Sequence, residues 1–321
     1  EYAIEKLNVQ CVELKWGQGA KDIGGEVKID NLKKAQLLHE RGYIVLPDPT
    51  DPDVIKAFEH GAFKAFERHS RVGMVDEEAF ARRIAELRNA GARYVFLKTG
   101  AYRPADLARA ILFASRYKLD LLTVDGAGGG TGMSPWHMMN EWGMPPVYLH
   151  SLLYQFAQRL SNRGDYLPAL AVAGGFSFED HIFKGLAMGA PFVKLVGMAR
   201  APVAAAMVGK TIGRTIDTNK VPVYISRFGN SKDEIFVTAV ELRRKLRDAS
   251  FDQIPTGALG LYTYYERLGQ GLRQLMAGSR KFSLEHMSRN DIASLTPEAA
   301  EVSGIRYIMD VDREEVDSIL G

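Results

Sequence analysis

The chain has 321 residues, 46% of them hydrophobic, enough to bury a large core in one α/β barrel or two smaller domains. Its 41 basic and 39 acidic residues leave a formal charge of +2, and no aromatic-basic stripe accompanies them, which sets nucleic acid aside. No run reaches the roughly 18 apolar residues of a membrane span and the start lacks the basic-then-apolar order of a secretory signal, so a cytoplasmic protein is expected.

In chain order, "VQCVELKW" alternates like a strand and ends in the glycine-rich stretch "GQGAKDIGG". It carries the lone cysteine, Cys11, which reads as a small buried hydrophobe. One cysteine excludes an intrachain disulfide, a thiolate zinc site and a protein-ligated iron–sulfur cluster. "GYIVLPDP" reads as a shorter strand of the same kind. From residue 76 a regular alternation begins: Asp76 caps a helix whose Phe80, Ile84 and Leu87 recur at helical spacing, Gly91 ends it, and the strand "YVFLK" follows. Pro104 opens the next helix at a position that tolerates proline, before the buried strand "LDLLTVD". The helix "YLHSLLYQFAQRLSNRG" then leads to "ALAVAGG", and "FEDHIFKGLAMGA" leads to "FVKLVG" with "APVAAAMVGKTIG" behind it. Strands separated by helices rather than hairpins pair in parallel, and roughly five or six are expected. The expected organisation is a (β/α) barrel region over residues 1–212, an excursion at 213–231, and a helical extension over 232–321 packed on the barrel.

In parallel α/β folds the chemistry lies beyond the carboxyl ends of the strands. Those ends give Gln18, Lys21, Gly24 and Gly25, then Lys98, then Asp125 to Ser134, then Gly174 and Gly175, then Gly197. Glycines there let backbone N–H groups approach an anion, and the start of the next helix adds a favourable dipole, which suits a phosphate. Glycines that merely shape turns, a Lys98 that snorkels to solvent and an Asp125 that braces its loop are the structural alternatives. Of the histidines, His69 and His137 lie nearest these loops; His39, His60, His150, His181 and His286 read as solvated or core residues, and no pair has metal-ligand spacing. Ser134 lacks the strand–turn–helix elbow of a hydrolase nucleophile.

Three stretches, "VELKWGQGAKDIGG", "VDGAGGGTGMSPW" and "AVAGGFSFEDHIFKGLAMGA", in this order and spacing, resemble the FMN-binding synthase domain of the glutamate synthase family and its stand-alone relatives. The similarity spans residues 1 to about 210. It implies an FMN-dependent oxidoreductase on a (β/α)8 TIM-type barrel that reduces an imino acid, formed from 2-oxoglutarate and ammonia or an amine, to glutamate or a glutamate derivative. By the same resemblance, Gly128, Gly129, Gly130, Thr131 and Gly132 lie against the flavin. Gly174, Gly175, Gly197 and Met198 offer backbone donors to its phosphate. Lys98, with Asp125 nearby, sits at the pyrimidine edge of the ring. Gln18 and Lys21 orient flavin and substrate carboxylates, so that Lys98, Gln18 and Lys21 are the expected catalytic residues.

The chain departs from the family in three places. The region "RAPVAAAMVGKTIGRTIDTNK" lacks the cysteines that hold a [3Fe–4S] centre in the family's glutamate synthases, so no cluster ligated by this chain and no other metal is expected. Gly128 stands where the family loop has an acid, and Asp125 where it often has serine. The family's first, small-residue strand is not in the chain, so the barrel's opening strands are expected to be missing. No amidotransferase cysteine opens the sequence, which calls for ammonia from solution or from a partner subunit, alongside an electron-donor partner; an oligomer is expected. Two other readings stay open: a flavin-dependent dehydrogenase or oxidase of another 2-hydroxy or amino acid, and a catalytically inactive barrel subunit.

Overall fold

In the computed structural model, residues 2–16, 27–69, 76–100, 103–130, 141–246 and 248–321 are described. Five strands form one parallel sheet: β1 (Cys11–Lys15), β5 (Tyr94–Thr99), β6 (Leu121–Asp125), β7 (Ala169–Ala173) and β8 (Val193–Gly197), in the order β1-β5-β6-β7-β8. The burial follows from position in the sheet. The central strands β6 and β7 are buried along almost their whole length, as strands covered on both faces must be, whereas β1 at one edge alternates between exposed and half-buried residues. The helix Glu77–Asn89 starts where the sequence places it. The Asp76 carboxylate accepts the N–H of Ala79 at 2.7 Å, and Phe80, Ile84 and Leu87 form its buried face. Helix Pro104–Arg116 carries its proline in the first turn, and its Arg116 holds Glu77 at 2.8 Å.

"GYIVLPDP" does not supply a strand of the central sheet. Ile44–Leu46, β3, pairs antiparallel with β4 (Phe66–His69), which pairs on its other side with β2 (Val27–Ile29). The reason is local: the segment contributes only three residues, of which Val45 alone is buried, and that one-sided pattern suits a sheet with a single packed face. The face carries its own core, Ile29, Ala35, Val45 and Phe66, with Phe58 and Phe63 against Phe66.

By internal contacts the chain forms two compact units. The first comprises Glu1–Gly175, Gly185–Gly197 and Ser288–Gly321. Its last piece is fastened by Arg289, whose guanidinium lies 3.8 Å over the Tyr154 ring and donates to the carbonyls of Met188 and Ser303.

The second unit, Phe176–Lys184 and Met198–Met287, is built on the helices Arg200–Asp217 and Thr256–Gly278. These meet backbone to backbone: a Cβ on Gly260 would lie 2.7 Å from the Ala205 carbonyl oxygen and 3.0 Å from the Gly209 Cα. Beside them Phe236, Ala239, Leu242, Phe251 and Leu259 make a small core. Lys232 and Arg243 both stack on the Phe251 ring, 4.7 and 4.3 Å from its centre. Residues 213–231 hold the end of the first helix and the short helix Val223–Ser226, and helices predominate from 232 onward. No helix among the described residues is long and apolar enough to cross a membrane.

Candidate functional site

Because the five strands run parallel, their carboxyl ends share one edge of the sheet. The register sets Lys15 beside Lys98, Lys98 beside Thr123, Asp125 beside Ala173, and Ala173 beside Gly197. The edge therefore brings together Lys98, Asp125, the turn containing Gly128, Gly129 and Gly130, the doublet Gly174–Gly175, and Gly197. Met198 opens a stretch of the second unit and is half-buried there. Gln18, Lys21, Gly24, Gly25, Thr131 and Gly132 lie outside the described residues, as do Ser134 and His137.

Lys98 Nζ stands 3.4 Å from Asp125 Oδ2, with the carboxylate 7% and the lysine side chain 23% exposed, so the pair is only partly screened by water. Sequence reading gave no role to Lys15, yet it ends β1 directly alongside Lys98. Burial, and then the positive charge of Lys98, lower its pKa, while Glu13 and Asp125 pull the other way. The available signal was its place as the last strand residue of "CVELK", one position before the loop. Trp16 fixes that exit: its N–H donates to the Lys98 carbonyl at 2.9 Å, and its ring packs edge-on against Phe80 and Phe113.

The glycines at this edge are bare chiefly because they face each other. The two loops touch: a Cβ on Gly128 would lie 3.0 Å from the Gly174 carbonyl oxygen, and one on Gly174 would lie 2.6 Å from the Gly126 nitrogen. Gly174 and Gly175 also have φ of +111° and +89°, values that side chains resist. A Cβ on Gly129 would collide with the Asp125 carboxylate, so this glycine leaves the room in which Asp125 reaches Lys98. Gly197 is crowded by the Ala173 side chain at 3.1 Å. Gly175 differs: it is exposed, and its Cβ position meets only the Gly128 Cα, at 3.6 Å.

His150, on helix Pro146–Asn162, is a core residue, 3% exposed, where the sequence left a solvated or a core position open. Burial pushes its pKa down to about 4, and a hydrogen bond to the Ala173 backbone acts against that. The edge thus combines two cations, one buried carboxylate and a side-chain-free shelf. Such a set can hold an anionic group and stabilise negative charge that develops on a flat ligand. Among the described residues no cluster of three or more His, Cys, Asp or Glu has the arrangement to hold a metal ion.

Residues 67–226 match the profile of a family described as the conserved region in glutamate synthase. No curated protein sequence matches the chain. Among solved structures, a single mutant of flavocytochrome b2 with benzoylformate is similar at 14% identity, covering 74% of this chain and 43% of that one, with a TM-score of 0.34. A double mutant of flavocytochrome b2 with sulfite bound is similar at 12% identity, covering 98% of this chain and 54% of that one, with a TM-score of 0.38. The chain spans about half the length of these two structures.

Proposed function

Because residues 67–226 are a domain of the glutamate synthase family, we propose that the chain is an FMN-dependent oxidoreductase. In this reading it reduces an imino acid, formed from 2-oxoglutarate and ammonia or an amine, to glutamate or a glutamate derivative. The observation that supports it most is the meeting of the Gly128 turn and the Gly174–Gly175 doublet beside the Lys98–Asp125 pair on one sheet edge. The residues fit the cofactor: an exposed left-handed glycine offers a shelf for a phosphate, and a lysine braced by a buried carboxylate offers a fixed cation. FMN, when bound, would supply the hydride.

In this reading Lys98 holds its ammonium where the reduced ring gathers negative charge, and Asp125 keeps it from swinging to solvent. Lys15, with its lowered proton affinity, stands on the neighbouring strand as a second cation for a carboxylate of the substrate. Gln18 and Lys21, which follow β1 in sequence, would complete that carboxylate grip. Gly174, Gly175 and Gly197 would surround the phosphate. The parallel sheet would form part of a (β/α)8 barrel, and the whole would work in the cytoplasm as an oligomer. A single cysteine cannot hold a [3Fe–4S] centre, so electrons would come from a separate donor, and ammonia from solution or a partner.

The test is direct. The purified protein is titrated with FMN and followed by absorption and by quenching of flavin fluorescence. It is then reduced and mixed with 2-oxoglutarate and ammonium or methylamine, and the product is identified by mass. Uptake of FMN and formation of an amino acid are expected; a protein that takes up no FMN refutes the reading.

A further inference from the structure

We propose that the second unit carries a binding site for a free α-amino acid, with Arg267 gripping the carboxylate and Glu179 the ammonium. A cavity of about 500 Å³ opens where Phe178 and Glu179, at the start of the helix Glu179–Gly189, face the helix Thr256–Gly278. That volume falls within the range of small-molecule sites. Every residue lining it belongs to this one unit. From the long helix come Tyr264, Arg267, Gly271 and Gln274, spaced three and four residues apart so that they share a face.

The wall is shaped around the Glu179 carboxylate. A Cβ on Gly271 would lie 2.7 Å from the Glu179 Cδ and 2.9 Å from its Oε1, so the side chain lies along the helix where glycine leaves the backbone bare. Glycine is disfavoured in a helix interior. The helix dipole accounts for an acidic residue at 179, but not for this bare backbone beneath it. Its neighbour Asp180 shows the ordinary arrangement, held by Lys184 at 2.7 Å. Glu179 and Arg267 share the cavity, yet among the described residues neither side chain forms an ion pair or a hydrogen bond, with the other or with any third group. Opposite charges left apart in one cavity are complementary to a ligand that carries both, and a planar guanidinium matches a carboxylate two bonds at a time. The Gln270 and Gln274 amides add donors and acceptors for a polar side chain. The Phe178 ring, edge-on against His181 and still 58% exposed, offers an apolar wall for its methylenes. The segment is fixed before a ligand arrives: the Tyr264 hydroxyl donates to the Ser177 carbonyl at 2.6 Å, and the Ser177 N–H donates to His181 Nδ1 at 3.3 Å.

The experiment titrates L-glutamine, N-acetyl-L-glutamine and L-glutamine methyl ester into the full chain, as wild type, R267Q and E179Q, by ligand-observed NMR. L-glutamine carries both charges and a side-chain amide; the acetyl compound lacks the ammonium and the ester lacks the carboxylate. Wild type is expected to bind L-glutamine and to bind each analogue about tenfold more weakly, the loss of one charge-assisted contact. R267Q is expected to weaken L-glutamine about tenfold and to leave the ester, which has no carboxylate to lose, unchanged. E179Q is expected to weaken L-glutamine about tenfold and to leave the acetyl compound unchanged. No binding of L-glutamine to the wild type overturns the inference. Binding that both variants leave intact overturns it by placing the ligand elsewhere. Equal weakening of all three compounds overturns it by giving the two side chains a structural role. Uptake of FMN is read separately, so none of these results bears on the flavin reading.

Discussion

The proton affinity of His150 makes the stability of the fold depend on pH in a way that follows from its burial. In the folded chain the ring titrates at about 4, against 6.5 for the free side chain. Between those values the unfolded chain binds more protons than the folded one. Stability from this group is therefore complete above pH 6.5 and is lost as pH falls through 4. With these two values the loss is about 2 kcal/mol near pH 5 and about 3 kcal/mol near pH 4. Urea denaturation of wild type and H150Q over this range isolates the contribution, because glutamine does not titrate and the remaining groups cancel in the difference. The wild type is expected to lose about 2 kcal/mol more than the variant between neutral pH and about pH 5. Parallel curves would mean that the ring is solvated and titrates alike in the folded and the unfolded chain, and a wild type that gains stability toward pH 5 would mean a ring already protonated at neutral pH; either would contradict the buried neutral histidine described above.

The glycines make a graded test. Gly174→Ala combines a left-handed backbone with a clash against the Gly126 nitrogen and is expected to cost about 3 kcal/mol or more, whereas Gly61→Ala has the same handedness but open space and is expected to cost about 1 kcal/mol. Equal shifts in the urea midpoint would show that the two loops do not touch. Lys98→Met removes the cation 3.4 Å from a buried carboxylate and is expected to cost about 3 kcal/mol, with the K98M/D125N double variant closer to wild type. In the FMN-loaded protein, Lys98→Met is also expected to lower the flavin reduction potential, measured against a reference dye; an unchanged potential would return Lys98 to a structural role.

Much of the fold could be read from the chain because its signals are local. Asp76, the spacing of Phe80, Ile84 and Leu87, and the glycine after the helix are neighbours in sequence, and the structure uses them as neighbours. The buried runs of β6 and β7 carry their own two-sided burial in their composition. What could not be read depends on contacts between distant residues. Ile44–Leu46 finds its antiparallel partner at Phe66–His69, across a helix and a loop, and three residues hold too little pattern to announce it. The glycine clusters pointed to a close approach, but not to what approaches; at Gly126, Gly128 and Gly174 it is each other's backbone, and at Gly129 the Asp125 carboxylate. Lys15 is not singled out by the sequence because its neighbour Lys98 is set by strand register, and whether His150 is solvated or buried is decided by the elements packed around its helix.

The small three-stranded sheet, which lies between β1 and β5 in sequence, brings its own first and last strands together, with Val27 paired to Arg68. With its own aromatic core, it behaves as a folded bracket rather than as a slack tether, and it shortens the effective span across which β1 must find β5. Loosening its aromatic core is therefore expected to slow the pairing that sets Lys15 beside Lys98.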